Sequence, residues 1–398
     1  MHPLPRHVHG ASAQPLLGET IGRLLDRIAA THPDRPALVV RAQAVRMDYR
    51  AFHAGVERIA AGLLALGLQP DDRVGIWAPN RAEWVLLQFA APKAGLILVN
   101  INPAYRGHEL EYALNKVQCR ALVLPRRFKT SHYLDLLREL VPELDGAAPG
   151  ALASARLPGL REVILLDDAA ASGTRLWREL AEFGDAAALA RLHEAERELG
   201  FDDPVNIQFT SGTTGTPKGA TLTHRNIVNN GWFVGEAMRL TERDRLCIPV
   251  PFYHCFGMVL GNLACVTHGA CMVIPGEGFD ALATLFPAAT TNPKRHSGEG
   301  RNLVAITFIQ APRPLDSGLR RNDERACGTD AGPWRCGCLK LSRTVVGGAR
   351  RSWTGSMGRK AAESMDRPAE VAARPTRVRQ AARNGVPYFA MLKSISIG

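Results

Sequence analysis

Apolar residues recur at helical spacing early in the chain. In "IGRLLDRIAATHPDRPALVV" the positions Ile21, Leu24, Leu25 and Ile28 fall at i, i+3, i+4 and i+7, one face of an amphipathic helix. "HPDRP" ends that helix, and Ala37–Val40 reads as a short strand. "YRAFHAGVERIAAGLLALGL" repeats the pattern through Phe52, Val56, Ile59, Leu63 and Leu66, with Gly67 positioned to close it. "DDRVGIWAPN" predicts a buried strand and a turn. "RAEWVLLQFAAPKAG" predicts a helix that Pro92 kinks or ends. "LILVNINPAYRGHELEYALN" reads as strand, loop and helix start, and "CRALVLP" and "REVILLDD" as strands of four to six apolar residues. "PELDGAAPGALASARLPG" is a loop. Strands alternating with helices predict an α/β fold with mostly parallel, βα-layered sheets.

The order stops near Phe286. From "FPAATTNPKRHSGEGRN" onward no helical or strand period persists, although "LVAITFIQ" can form one strand and "AAESMDRPAEVAA" a short helix split by Pro368. Charge divides at the same place. Residues 1–285 carry 29 Lys and Arg against 30 Asp and Glu, whereas residues 286–398 carry 20 against 8, so the whole net charge of +11 lies in the last part. Three regions are therefore expected: a flexible extension over 1–15, an ordered α/β domain over 16–285, and a basic, largely irregular and disordered tail over 286–398.

A hydrophobic content of 46% and a charged content of 22% are those of a soluble globular protein. The start of the chain has no apolar run behind basic residues, which predicts a cytoplasmic location. No apolar stretch reaches the ~18 residues of a spanning helix; "WVLLQFAAPKAGLILV" is broken by Gln88, Pro92 and Lys93. The eight cysteines form no CxxC pair or spaced His/Cys set, so neither a zinc site nor a disulfide framework is expected. His2, His7 and His9 read as part of the extension rather than a metal site. Asp167 and Asp168 read as a strand-to-loop transition, Asp202 and Asp203 as turn residues, and Cys255 and Cys265 as small apolar packing.

The stretch that carries chemistry is "FTSGTTGTPKGATLTHRN", Phe209 to Asn226. It lies between a strand, "VNIQFT", and a helical pattern, "HRNIVNNGWFVGEAMRL". Glycines and hydroxyls placed between strand and helix let backbone N–H groups converge on an anion. Gly212, Gly215 and Gly219 allow close approach of a phosphate, and Lys218 adds a mobile positive charge. The loop is not a Walker loop, because Pro217 stands where GxxxxGK[ST] needs its second glycine.

"FTSGTTGTPKGA" resembles the phosphate loop of the adenylate-forming superfamily, which includes acyl-CoA synthetases, luciferases and peptide-synthetase adenylation domains. "PVPFYHCFGM", with Pro251, Phe252, His254 and Gly257, resembles that family's next core motif. "WVLLQFAAPKAGLILVNINPAYRGHELEYAL" resembles its first conserved block, and the wording there is nearest to medium- and long-chain fatty-acyl-CoA synthetases. The resemblance covers roughly residues 16–285. It implies part of an N-terminal adenylation domain. It further implies a reaction in which ATP and a fatty acid give an acyl-adenylate, which coenzyme A converts to the thioester. Thr210, Ser211, Gly212, Thr213, Thr214, Gly215, Thr216 and Lys218 would hold the β- and γ-phosphates. His254 would sit near the acyl carboxylate or gate its pocket. Magnesium would accompany the ATP.

Three parts that the resemblance leads one to look for do not follow. These are the "YGxTE" block with its magnesium-binding glutamate, the ribose-binding aspartate, and the lysine that drives adenylation. No tyrosine occurs between Tyr253 and Tyr388. "RHSGEGRNLVAITFIQAPRPLDSGLRRNDE", residues 295–324, instead resembles translated intergenic repeats. The expectation is an N-terminal fragment with no catalytic residue of its own, binding ATP weakly and forming no acyl-CoA. The alternative is a nucleotide- or acyl-binding remnant whose basic tail grips nucleic acid through Trp334, Trp353, Tyr388 and Phe389. Those aromatics show no spacing or module, so no specific nucleic-acid partner is expected.

Overall fold

The structure, a computed structural model, describes residues 15–210, 216–280 and 283–284, together with the backbone of 303–305. The chain begins with α1 (Ile21–Thr31), β1 (Pro36–Val40), β2 (Val45–Asp48) and α2 (Tyr49–Ala65). It then alternates through β3 (Arg73–Ile76), α3 (Ala82–Lys93), β4 (Ile97–Asn100), α4 (Gly107–Lys116) and β5 (Cys119–Leu124). A short hairpin of β6 (Arg127–Phe128) and β7 (Ser131–His132) leads to α5 (Tyr133–Leu140), β8 (Glu162–Leu165) and β9 (Arg175–Leu176). Next come α6 (Trp177–Phe183), α7 (Ala186–Glu198), β10 (Pro204–Thr210), β11 (Lys218–Thr223) and α8 (His224–Met238). The described chain closes with β12 (Arg245–Cys247), α9 (Cys255–Gly257), a π-helical turn at Met258–Leu263, α10 (Ala264–Thr267), β13 (Cys271–Ile274) and β14 (Leu303–Ala305).

Two main sheets result. One has the order β11-β10-β4-β3-β5-β8-β9 and is parallel except for the β10–β11 pair. The other has the order β14-β12-β13-β1-β2 and is parallel except for the β1–β2 hairpin. Strands buried on both faces read as continuous apolar runs, and β13, Ala121–Leu124 of β5 and Val163–Leu165 of β8 do so. The apolar stripes expected at α1 and α2 point inward: Ile21, Leu24, Leu25 and Ile28, then Phe52, Val56, Ile59 and Leu63, are all buried. Leu66 is only half-buried, because α2 has already ended, and Gly67 takes the positive φ of a helix stop. α3 has no polar face and is buried all round, against α1 and α2. Pro92 does end it, one residue before its last.

One apolar cluster lines a face of the seven-stranded sheet. It joins Val99, Leu122, Leu124, Val163 and Leu165 to Leu110, Leu114, Leu134 and Leu137 from α4 and α5. Each such side chain stabilises the fold by about 1.5–3 kcal/mol relative to exposure. Trp77 stacks on Tyr133 in the same cluster, with ring centroids 4.0 Å apart.

Six strands were not legible in the pattern: β2, β6, β7, β9, β11 and β12. Of the region beyond Phe286, the strand expected in "LVAITFIQ" is present as Leu303–Ala305, parallel to β12. The expected extension, the helix at "AAESMDRPAEVAA" and the rest of the tail lie outside the described residues. Among the described residues no helix is long and apolar enough to cross a membrane.

Candidate functional site

The glycine-rich stretch does not run from strand to helix, as its pattern suggested. β10 continues the parallel sheet beside β4, pairing Asn206 with Leu98 and Gln208 with Asn100. The chain then returns as β11, antiparallel, with Thr210 opposite Lys218 in the last rung. β11 exists because "KGATLT" places β-branched Thr221 and Thr223 along a strand already buried on its other side, a local preference too weak to see alone. α8 starts after that strand. Its first turn is closed by its own capping box: Thr223 Oγ1 accepts from the Asn226 N–H at 3.2 Å and Asn226 Oδ1 accepts from the Thr223 N–H at 3.0 Å. α8 thus begins beyond β11 rather than directly after the glycine-rich stretch.

Thr210, Thr216 and Lys218 are exposed on that hairpin. Ser211, Gly212, Thr213, Thr214 and Gly215 lie outside the described residues. The far end of the loop is held by α4, where the Tyr112 hydroxyl donates to the Pro217 carbonyl at 3.1 Å. Residues 209–226 contain no carboxylate. The Thr210 and Thr216 hydroxyls and the Lys218 ammonium suit a polyphosphate, whereas magnesium finds no hard anionic oxygen in this stretch.

The second part of the site is Val250–Met258, laid across the carboxyl ends of β3, β4 and β10. Three buried amides fasten it, and a fourth, Asn206, holds one of the three. Asn80, just beyond β3, donates from Nδ2 to the Val250 carbonyl at 2.8 Å and accepts at Oδ1 from the Phe252 N–H at 2.9 Å. Asn100, ending β4, donates to the Tyr253 carbonyl at 3.2 Å. Asn206 donates to Asn100 Oδ1 at 2.9 Å and to the Leu98 carbonyl at 2.9 Å. Gln88 of α3 donates to the Met258 carbonyl at 2.9 Å. Gly257 is required here, since a Cβ would lie 2.5 Å from the Pro251 carbonyl oxygen. In open parallel sheets ligands bind outside the carboxyl ends of the strands, where these residues gather.

His254 sits at the exposed edge of this segment and caps α9, its Nδ1 accepting from the Phe256 N–H at 3.1 Å. That bond assigns the proton of the neutral ring to Nε2. Burial of the ring's inner side against the protein lowers its pKa, so it is neutral at pH 7 and presents an Nε2–H donor. The neighbouring Cys255 thiol is pushed up to about 11 by burial, which leaves it protonated and a poor nucleophile.

The remaining candidates have structural partners. Asp167 accepts from the Arg126 N–H at 2.6 Å, and the Asp168 carbonyl accepts from Arg178. Asp203 accepts from the Gly200 N–H at 2.7 Å, and Asp202 pairs with Arg225. Cys265 is fully buried, while Cys255 is only partly so. Asp26, His53 and Glu57 bring three possible metal-ligand atoms within 4.8 Å of one another, but the Lys93 ammonium already stands 2.6 Å from Asp26. Two open cavities of about 380 Å³ each are lined by Arg73, Asn115 and Gln118, and by Arg106, Ser131 and His132. Neither includes Thr210, Lys218 or His254.

A family description for AMP-binding enzymes matches residues 25–291. The medium-chain acyl-CoA ligase ACSF2, mitochondrial, of Danio rerio is 47% identical over 281 residues, which is 70% of this chain and 46% of that protein. The protein of the same name from Homo sapiens is 44% identical over 284 residues, 70% of this chain and 46% of its own length. The chain thus spans about half the length of the curated relatives it matches. Among solved structures, a fatty acyl-CoA synthetase from Mycobacterium tuberculosis superposes with a TM-score of 0.53 at 26% identity, covering 67% of this chain and 47% of that one.

Proposed function

Because the chain belongs to the AMP-binding enzyme family, we propose that residues 16–285 form the nucleotide- and acyl-binding part of a fatty-acid–CoA ligase. The half-reaction served is adenylation: a fatty-acid carboxylate attacks the α-phosphorus of ATP and pyrophosphate leaves. Coenzyme A then takes the acyl group and AMP departs. The observation that carries this reading is the placement of two parts at one end of one sheet. The Thr210–Lys218 hairpin supplies hydroxyls and an ammonium for the β- and γ-phosphates, and the amide-fastened segment supplies the neutral His254 Nε2–H. Positioning and charge neutralisation dominate such phosphoryl chemistry.

Ser211, Gly212, Thr213, Thr214, Gly215 and Thr216 complete the phosphate grip in this reading, and His254 meets the carboxylate. Magnesium enters with ATP, held by its phosphate oxygens. A medium-chain acid is the first substrate to try, on the strength of the relatives' names. The 398-residue polypeptide on its own is a binder rather than a catalyst. It has no tyrosine between Tyr253 and Tyr388 in which to place a "YGxTE" block.

The test is calorimetric titration of the purified chain with ATP and with decanoate, followed by an acyl-CoA formation assay. Binding of both ligands is expected, with ATP affinity reduced roughly tenfold in Lys218→Ala, and no acyl-CoA. Enzyme-dependent acyl-CoA would refute the binder reading. Failure to bind either ligand would refute the site.

A further inference from the structure

Asn100 is the only described side chain that bonds both to β10, the strand leading into the hairpin, and to the Tyr253 carbonyl beside His254. The Tyr253 carbonyl belongs to the same peptide unit as the His254 N–H. Gripping it sets the plane from which the His254 side chain departs, and with it the entry into the Nδ1 cap on Phe256. The direction of the relay is determined by its acceptors. Leu98 O and Asn100 Oδ1 accept together from the Asn206 amide nitrogen, so Asn100 must turn its own nitrogen toward Tyr253 and Met258. Only a side chain that both donates and accepts can stand there. Asp would set a carboxylate oxygen against a carbonyl oxygen, and Ala would leave Asn206 with one donor unpaired inside the protein.

We propose that Asn100 is the positioning residue for His254. It transmits the rigid end of β4 to His254, whose Nδ1 is held by the Phe256 N–H. This rests on the reading of His254 as the group that meets the acyl carboxylate. The two can nevertheless be judged separately, because the ring's state is observable without any ligand.

The experiment uses the full chain with nitrogen-15-labelled histidine, the His254 signals being assigned with His254→Gln. In the unsubstituted protein the ring is expected in one tautomer, with Nδ1 unprotonated and Nε2 protonated. The informative variant is Asn100→Leu combined with Asn206→Leu, which removes both amides together so that neither is left as an unpaired buried donor, while the Tyr253 and Leu98 carbonyls lose these bonds at a cost of about 1–3 kcal/mol each. It should remain folded with a lowered melting temperature, yet show His254 averaging between its two neutral tautomers. Its decanoate affinity should fall by roughly tenfold, the scale expected when a binding group is displaced. Gln88→Met, which removes the bond to the Met258 carbonyl at the other end of the segment, is the control and should leave the His254 signals in place.

If the double variant keeps the single-tautomer signature, or if Gln88→Met loses it equally, Asn100 is no more than one of several structural amides and the proposal fails. Should the double variant not fold, Asn100→Ser, too short to reach Tyr253, gives the same readout. Absence of decanoate binding by the parent would sink the functional reading while leaving the ring signature to decide this one.

Discussion

Lys93 offers the sharpest energetic test of the fold. Its side chain is 1% exposed, and its ammonium lies 2.6 Å from Asp26, 2.9 Å from Glu196 and 3.9 Å from Glu57. His53 bonds Asp26 at 2.6 Å and reaches Glu57 at 3.5 Å, and His193 stands 3.2 Å from Glu57. One buried cation therefore holds together acids from α1, α2 and α7, while two histidines meet the surplus negative charge. The substitution to make is Lys93→Met, which keeps the packed aliphatic stem and removes only the charge. Breaking a buried pair by removing one partner destabilises by about 3–5 kcal/mol, because the other charge is left uncompensated. The lower end, about 3 kcal/mol at pH 7, is expected here, since the Asp26 side chain is 38% exposed and retains His53.

The pH dependence follows from opposing shifts. Burial pulls the Lys93 ammonium down, but its bonds to Asp26 and Glu196 outweigh that and leave its pKa raised. Its stabilisation is thus present below the ordinary lysine value and lost as pH rises through the raised one. Burial pushes Asp26 up, yet hydrogen bonds from His53 and Lys93 leave it below the usual carboxylate range. Its contribution is present above the ordinary aspartate value and lost as pH falls through the depressed one. Glu196, more deeply enclosed, stays above its ordinary value because burial dominates. Its contribution is present at low pH and lost as pH rises through that raised value. Without Lys93 both acids favour the neutral form, so the gap between parent and variant should be widest near pH 7 and narrow as pH falls through the carboxylate range. Urea denaturation at pH 7, 5.5 and 4, with m-values checked for constancy, measures it. A loss below about 1 kcal/mol at pH 7, or a gap that does not change with pH, would refute the account. Adding Glu196→Leu to Lys93→Met should recover most of the loss.

Burial takes His224 down to about 4, with Nδ1 accepting from the Ile21 N–H at 3.0 Å. A depressed imidazole stabilises above its ordinary value of 6.5 and the benefit is lost as pH falls through about 4. The effect is on the order of 3 kcal/mol, and His224→Gln should flatten the urea midpoint across that window. Gly257→Ala sets a Cβ 2.5 Å from the Pro251 carbonyl oxygen, so calorimetry should show a loss of roughly 1–3 kcal/mol. Val304→Pro removes a ladder donor from β14 and should speed amide exchange in Arg245–Cys247 of β12, the strand it pairs with; unchanged exchange would show that β14 does not protect that edge.

The helical stripes of α1 and α2 and the apolar strands β5 and β8 were legible because local period and tertiary burial agree there. β11 was not, since "KGATLT" becomes a strand only by pairing with β10. That one unseen element changed the site: β11 stands between the glycine-rich stretch and α8, so the stretch joins two paired strands instead of opening a helix. The fastening amides were missed for a different reason. Asn80, Gln88, Asn100 and Asn206 are ordinary polar letters in the sequence, and each gains its meaning from a partner far along the chain, such as Tyr253 for Asn100. A signal was nonetheless present. Asn206 interrupts a continuous apolar strand between Val205 and Ile207, and Lys93 and Gln88 interrupt an apolar helix. A polar residue inside a fully buried element must find a partner there or destabilise the fold. Each such interruption therefore marks a specific long-range bond before its partner can be named. In this chain those bonds hold the packing of α3 at Lys93 and the seating of His254 at Asn100.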